Sequence, residues 1–153
     1  MNLAVAHFIW VWSSTAAAIV CILAGLIRGG TAERWGAIIL CLSWFSVPFI
    51  DNHHGFRPGI FIDDVLTLIA YGALSAWSRK AWTFFVTVFQ LATVITHIGT
   101  LLAWNGDWVY MTVSQIFGAW GIVIAQGWGV IVARPRHKRM AGPAPAGDTI
   151  ESA

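Results

Sequence analysis

Residues 49–64 read FIDNHHGFRPGIFIDD, and how this stretch is placed decides how many times the chain crosses a membrane. It holds two of the five histidines and three of the seven acids of a 153-residue chain that is 58% hydrophobic and 10% charged. Apolar runs flank it on both sides. If it is a loop between them, the chain has five spans; if residues 51–59 lie in the bilayer, Asp51 and Arg57 need protein or water around them and four spans remain. Five spans is the reading that keeps Asp51 and Arg57 out of lipid.

Composition sets the class from which that choice is made. A mean hydropathy of +0.70 with ten Trp and nine Phe leaves too few polar side chains to clothe a soluble domain. A hydrocarbon core of roughly 30 Å takes about 20 helical residues. Runs near that length lie at 3–27, 35–50, 60–77, 81–104 and 108–132, the second and third being short. The expectation is an all-α membrane protein: a bundle of five transmembrane helices over residues 1–133, followed at 134–153 by a basic and then Pro/Ala/Gly-rich disordered tail.

Charge fixes an expected orientation. With five spans, Arg28, Arg34, Arg79, Lys80, Arg134, Arg136, Lys138 and Arg139 fall on one side and only Arg57 on the other. The positive-inside rule then puts the N-terminus and the 49–64 loop outside and the C-terminus in the cytoplasm, as expected of a multi-pass protein of a cell inner membrane. Trp35, Trp77, Trp82 and Trp128 fall near the inner interface, and Trp10, Trp104 and Trp108 near the outer one. No Lys or Arg precedes His7, and the first apolar run is about twice an h-region, so it reads as a span and not as a signal peptide. The basic residues are explained by topology, which sets nucleic acid aside as a partner.

Three helices carry polar seams. Thr83, Thr87, Gln90, His97 and Thr100 share one stripe of the fourth run. Gln115, Gly118, Gln126 and Gly129 share one on the fifth, with Gly121 and Ala125 beside them, and Asp64, Thr67, Tyr71 and Ser75 share one on the third. Interhelical hydrogen bonding accounts for the Thr, Ser and Gln positions. His97 is different: an imidazole a turn or two inside the membrane needs a partner, either Gln90 or Gln115, or Asp64 or His7. Asp63 and Asp64 read either as ligands or as caps at a helix start. Arg57 is placed to pair with Asp51, Asp63 or Asp64.

His7, His53, His54, Asp63, Asp64 and His97 gather at the outer level, because His7 and His97 lie within roughly 6 to 11 Å of that surface at 1.5 Å per residue. Such a set suits a transition metal, or proton handling by histidine and acid. A bis-histidine haem between His7 and His97 is a weaker fit. The chain has no HExxH, no CxxC and no glycine-rich phosphate loop. Cys21 and Cys41 read as small buried hydrophobes. No serine, cysteine or lysine nucleophile has an evident base, so enzymatic activity is not indicated.

From Asp64 onward, the residues D, V, L and T, then SRKAW, FQL, VITHI, WVY, SQIFGAW and GWG, resemble a loose group of small multi-pass proteins of proteobacteria and their phages. The resemblance covers the last three spans and implies a bacterial or phage inner membrane, with no activity to carry over. The safest expectation is a structural or accessory subunit packed in the bilayer, within a larger membrane complex or a homo-oligomer. The alternatives are a metal-binding or proton-handling protein built on the outer His/Asp set, and a phage-encoded protein acting on the host membrane.

Overall fold

A computed structural model describes residues 3–50, 58–102 and 113–133. Every regular element among them is helical: α1 (Leu3–Arg28), α2 (Thr31–Ile50), α3 (Pro58–Ser78), α4 (Ala81–Leu101), and a last helix that begins π-wound at Ser114–Gly121 and continues as α5 (Ile122–Val132). The first four are long and apolar enough to cross a membrane, and the fifth is shorter. The stretch at 51–57, the predicted start of the fifth span at 108, and the 134–153 tail lie outside the described residues.

Local chemistry sets the breaks. Gly29 and Gly30 follow α1, and Gly29 N–H closes its last turn on the Gly25 carbonyl. Pro58 opens α3, where a missing N–H costs nothing. Between α3 and α4 the turn is made by Arg79 at φ 51°, a left-handed conformation usually given to glycine. These two-residue connections force antiparallel neighbours. Each helix packs on the next in sequence, and α5 closes the ring against α1.

Two expectations shift. The second and third runs, read as short, are 20 and 21 residues long, because α2 starts at Thr31 and α3 at Pro58. The polar first turn of α2 and the Pro-Gly start of α3 hid the extra length from a reading of apolar runs. Asp63 and Asp64 do not cap α3, since they are its sixth and seventh residues and no acid stands in its first turn.

Polarity is distributed as a bilayer requires. Of the six largest fully buried side chains, Tyr71, Gln90, Gln126, Glu33 and Thr83 are polar and only Val86 is not, whereas Phe8, Ile27, Phe49 and Ile131 stand exposed. An exterior more apolar than the interior is costly in water and favoured in lipid. Helices of spanning length and this inverted distribution together define a multi-pass helical membrane bundle.

Candidate functional site

Asp64 is the centre of the polar interior. It lies six residues into α3, about 9 Å along the helix, while His97 lies four residues before the end of antiparallel α4, about 6 Å from it, so the two meet at similar depth. His97 Nε2 is 2.7 Å from Asp64 Oδ2. Gln90, two turns deeper on α4, donates from Nε2 to Asp64 Oδ1 at 2.8 Å and to the Asp64 carbonyl at 3.1 Å. When the carboxylate is ionised it only accepts, and the imidazole Nε2–H is then the donor of this contact. His97 is buried, and Asp64 keeps 16% side-chain exposure. Phe61 packs edge-on against the imidazole, with ring centroids 5.8 Å apart.

That residual exposure opens onto a cavity of about 410 Å³ lined by residues of all five helices. Ser14 of α1, Ser43 and Trp44 of α2, Asp64, Thr67 and Tyr71 of α3, Gln90, Thr93 and His97 of α4, and Ser114 of the π-wound turn all line it. No Lys or Arg does so among the described residues. Two helix irregularities border it as well. Pro48 of α2 removes the N–H that would bond the Trp44 carbonyl, and both residues line the cavity. Ser114 begins the π-wound segment, and its buried Oγ has no hydrogen-bond partner among the described residues.

Below the cavity the interior closes. Tyr71 Oη lies 2.9 Å from Gln126 Oε1 and 3.2 Å from the Gly36 carbonyl, and Tyr71 and Gln126 are both fully buried. A level further, Glu33 is fully buried at the basic end of the bundle. It accepts from Lys80 Nζ at 2.7 and 3.0 Å and from Trp82 Nε1 at 3.0 Å. A second recess of about 520 Å³ opens there between Glu33, Lys80, Trp82 and Trp128. Its acid is already fully paired, so the reactive groups of the interior are in the first cavity.

The six residues of the expected outer set separate on this geometry. Asp64 and His97 come together. Asp63 turns away, accepting from Ser43 at 3.1 Å and Ser46 at 3.0 Å on α2. His53 and His54 lie outside the described residues, as do Asp51 and Arg57, and the side chain of His7 is not described. Among the described residues no three His, Cys, Asp or Glu side chains converge to hold a metal ion. Neither cysteine is in a disulfide; Cys21 is buried and Cys41 half-buried.

Of the seam residues, Thr87 and Thr100 spend their hydroxyls on their own helix. Sequence reasoning gave no role to Glu33 and read Lys80 and Trp82 only as markers of the inner interface, whereas Trp82 is buried. The available signal was a lone acid at a helix start, among the basic residues of one end.

The fold and this interior define a small helical membrane protein with a His–Asp pair at an internal cavity. No protein-family model, curated protein or solved structure matches the chain.

Proposed function

We propose that the chain is a five-span protein of a bacterial or phage inner membrane, N-terminus outside and tail in the cytoplasm, in which Asp64 and His97 handle protons at the internal cavity. The observation that carries this is the 2.7 Å contact between His97 Nε2 and Asp64 Oδ2 at the wall of that cavity. Histidine is the side chain whose ordinary titration range spans neutral pH, and a carboxylate beside it in a membrane interior is the usual composition of a proton relay. The orientation rests on the eight-to-one distribution of basic residues, and the bacterial or phage setting on the sequence resemblance alone.

The accessory-subunit reading has one observation in its favour: much of the interior polarity is satisfied locally, as Asp63 is by Ser43 and Ser46. Packing alone does not require an acid and an imidazole beside 410 Å³ of space.

Proton flux into liposomes carrying the purified protein, driven by a valinomycin potassium potential and read with a trapped pH dye, separates the two. The wild type should take up protons, Asp64→Asn and His97→Ala should lose at least about tenfold of that flux, and Asp63→Asn should retain it. Wild-type vesicles as tight as protein-free ones would remove the proton reading, and a stably co-purifying partner would then favour the accessory one.

A further inference from the structure

The cavity that holds Asp64 has the composition of a receptor for a cation. Its described lining contains one carboxylate and no basic side chain apart from His97. A carboxylate inside the bundle is favoured by a positive charge beside it, because low dielectric penalises an unpaired one. Asp63, the nearest other acid, is turned toward α2 and held by two serines. The charged groups Glu33 and Lys80 pair with each other at the opposite end. Tyr71 directs its hydroxyl toward Gln126 and Gly36, and Cys21 of α1 approaches the Val123 carbonyl.

Hydrogen-bonding capacity points the same way. Each carboxylate oxygen of Asp64 takes one side-chain donor, His97 on Oδ2 and Gln90 on Oδ1, and each has lone-pair capacity left. The Trp44 carbonyl has lost its helical N–H donor to Pro48. The buried Ser114 Oγ has no partner among the described residues and has lone pairs to offer. Trp44 and Tyr71 add aromatic rings to the wall, which favour a cation over an anion.

Ligand count disfavours a transition metal. Such an ion needs three or four close His, Cys, Asp or Glu ligands, and no such group exists among the described residues. A volume of about 410 Å³ instead lies in the range of small-molecule pockets. We infer that this cavity binds a small organic monocation of the ammonium class, its N–H groups on Asp64, the Trp44 carbonyl and Ser114 and its carbon skeleton against Trp44 and Tyr71. The inference rests on the cavity of the proton reading and adds a ligand to it.

The test uses the full chain in lipid nanodiscs at one fixed pH, with calorimetric titration of n-butylammonium, and with butyrate and n-pentanol as charge-reversed and neutral probes. Saturable binding of butylammonium alone is expected, weakened about tenfold or more by Asp64→Asn and retained by Asp63→Asn, whose carboxylate is turned toward α2. Ser114→Ala leaves the Asp64 pair intact and should weaken binding several-fold, so the question stays answerable if Asp64→Asn does not fold.

Absence of butylammonium binding to the wild type, equal binding to Asp64→Asn, or comparable binding of pentanol would overturn the inference. Proton flux measured on the same preparations keeps the two proposals apart. Asp64-dependent flux without butylammonium binding removes only the cation site, and binding without flux removes only the proton reading.

Discussion

Asp64 serves two donors from different turns of α4, so its loss strands both. In Asp64→Ala the side-chain amide of Gln90 keeps only the Asp64 backbone carbonyl, and His97 Nε2 loses its carboxylate. At about 1–3 kcal/mol for each stranded buried donor, destabilisation of roughly 2–5 kcal/mol is expected by thermal unfolding in mild detergent. Asp63→Ala should cost less, about 1 kcal/mol, because Ser46 also has the Ser43 carbonyl at 2.8 Å to donate to.

At this scale the sequence is partly legible. His97 stands out because an imidazole amid Val, Ile and Thr demands a partner, and the antiparallel count of residues brings Asp64 to its depth. Asp63 and Asp64 are adjacent and chemically identical, so nothing in their order tells which faces α4 and which faces α2; helix rotation decides it. Glu33 is illegible for a different reason. Three residues beyond Gly30 of a Gly-Gly turn and next to Arg34, it reads as a solvated helix start, yet it is buried, with Trp82 of α4 and Lys80 donating to it.

Among the elements, the tightest junction is where α2 and α5 clamp the Trp82 indole of α4. A Cβ on Gly129 would stand 2.5 Å from Trp82 Cγ, and one on Gly36 would stand 2.7 Å from Trp82 Cη2. The indole cannot swing away without releasing Glu33. Gly129→Ala and Gly36→Ala should therefore each cost about 1–3 kcal/mol by overpacking. Gly72 of α3 meets nothing within 4 Å. Gly72→Ala should be neutral or stabilising by up to about 1 kcal/mol through helix propensity, so melting the three variants side by side checks the assignment. Apolar run length is enough to find the helices, but not their polar first turns. The π-wound entry at Ser114–Gly121 is invisible in sequence, because a changed hydrogen-bond register leaves the apolar composition of SQIFGAWG unaltered.

Over the whole molecule, polar groups form levels along the axis of a closed ring. Asp64, His97 and Gln90 lie near the end where α1 begins, Tyr71 and Gln126 seal the middle, and Glu33 with Lys80 and Trp82 tie the basic end. Both the proton and the cation proposals require that water reach Asp64 from the end where α1 begins.

Side-specific thiol labelling in vesicles measures that directly. With Cys21 and Cys41 replaced by alanine, Ser43→Cys, at a half-buried position on the cavity wall, should react with a membrane-impermeant methanethiosulfonate added on the side of the N-terminus. Ala18→Cys, at a fully buried position, should not react. A Ser43→Cys thiol that stays unmodified from that side would contradict a wetted cavity at the Asp64–His97 pair.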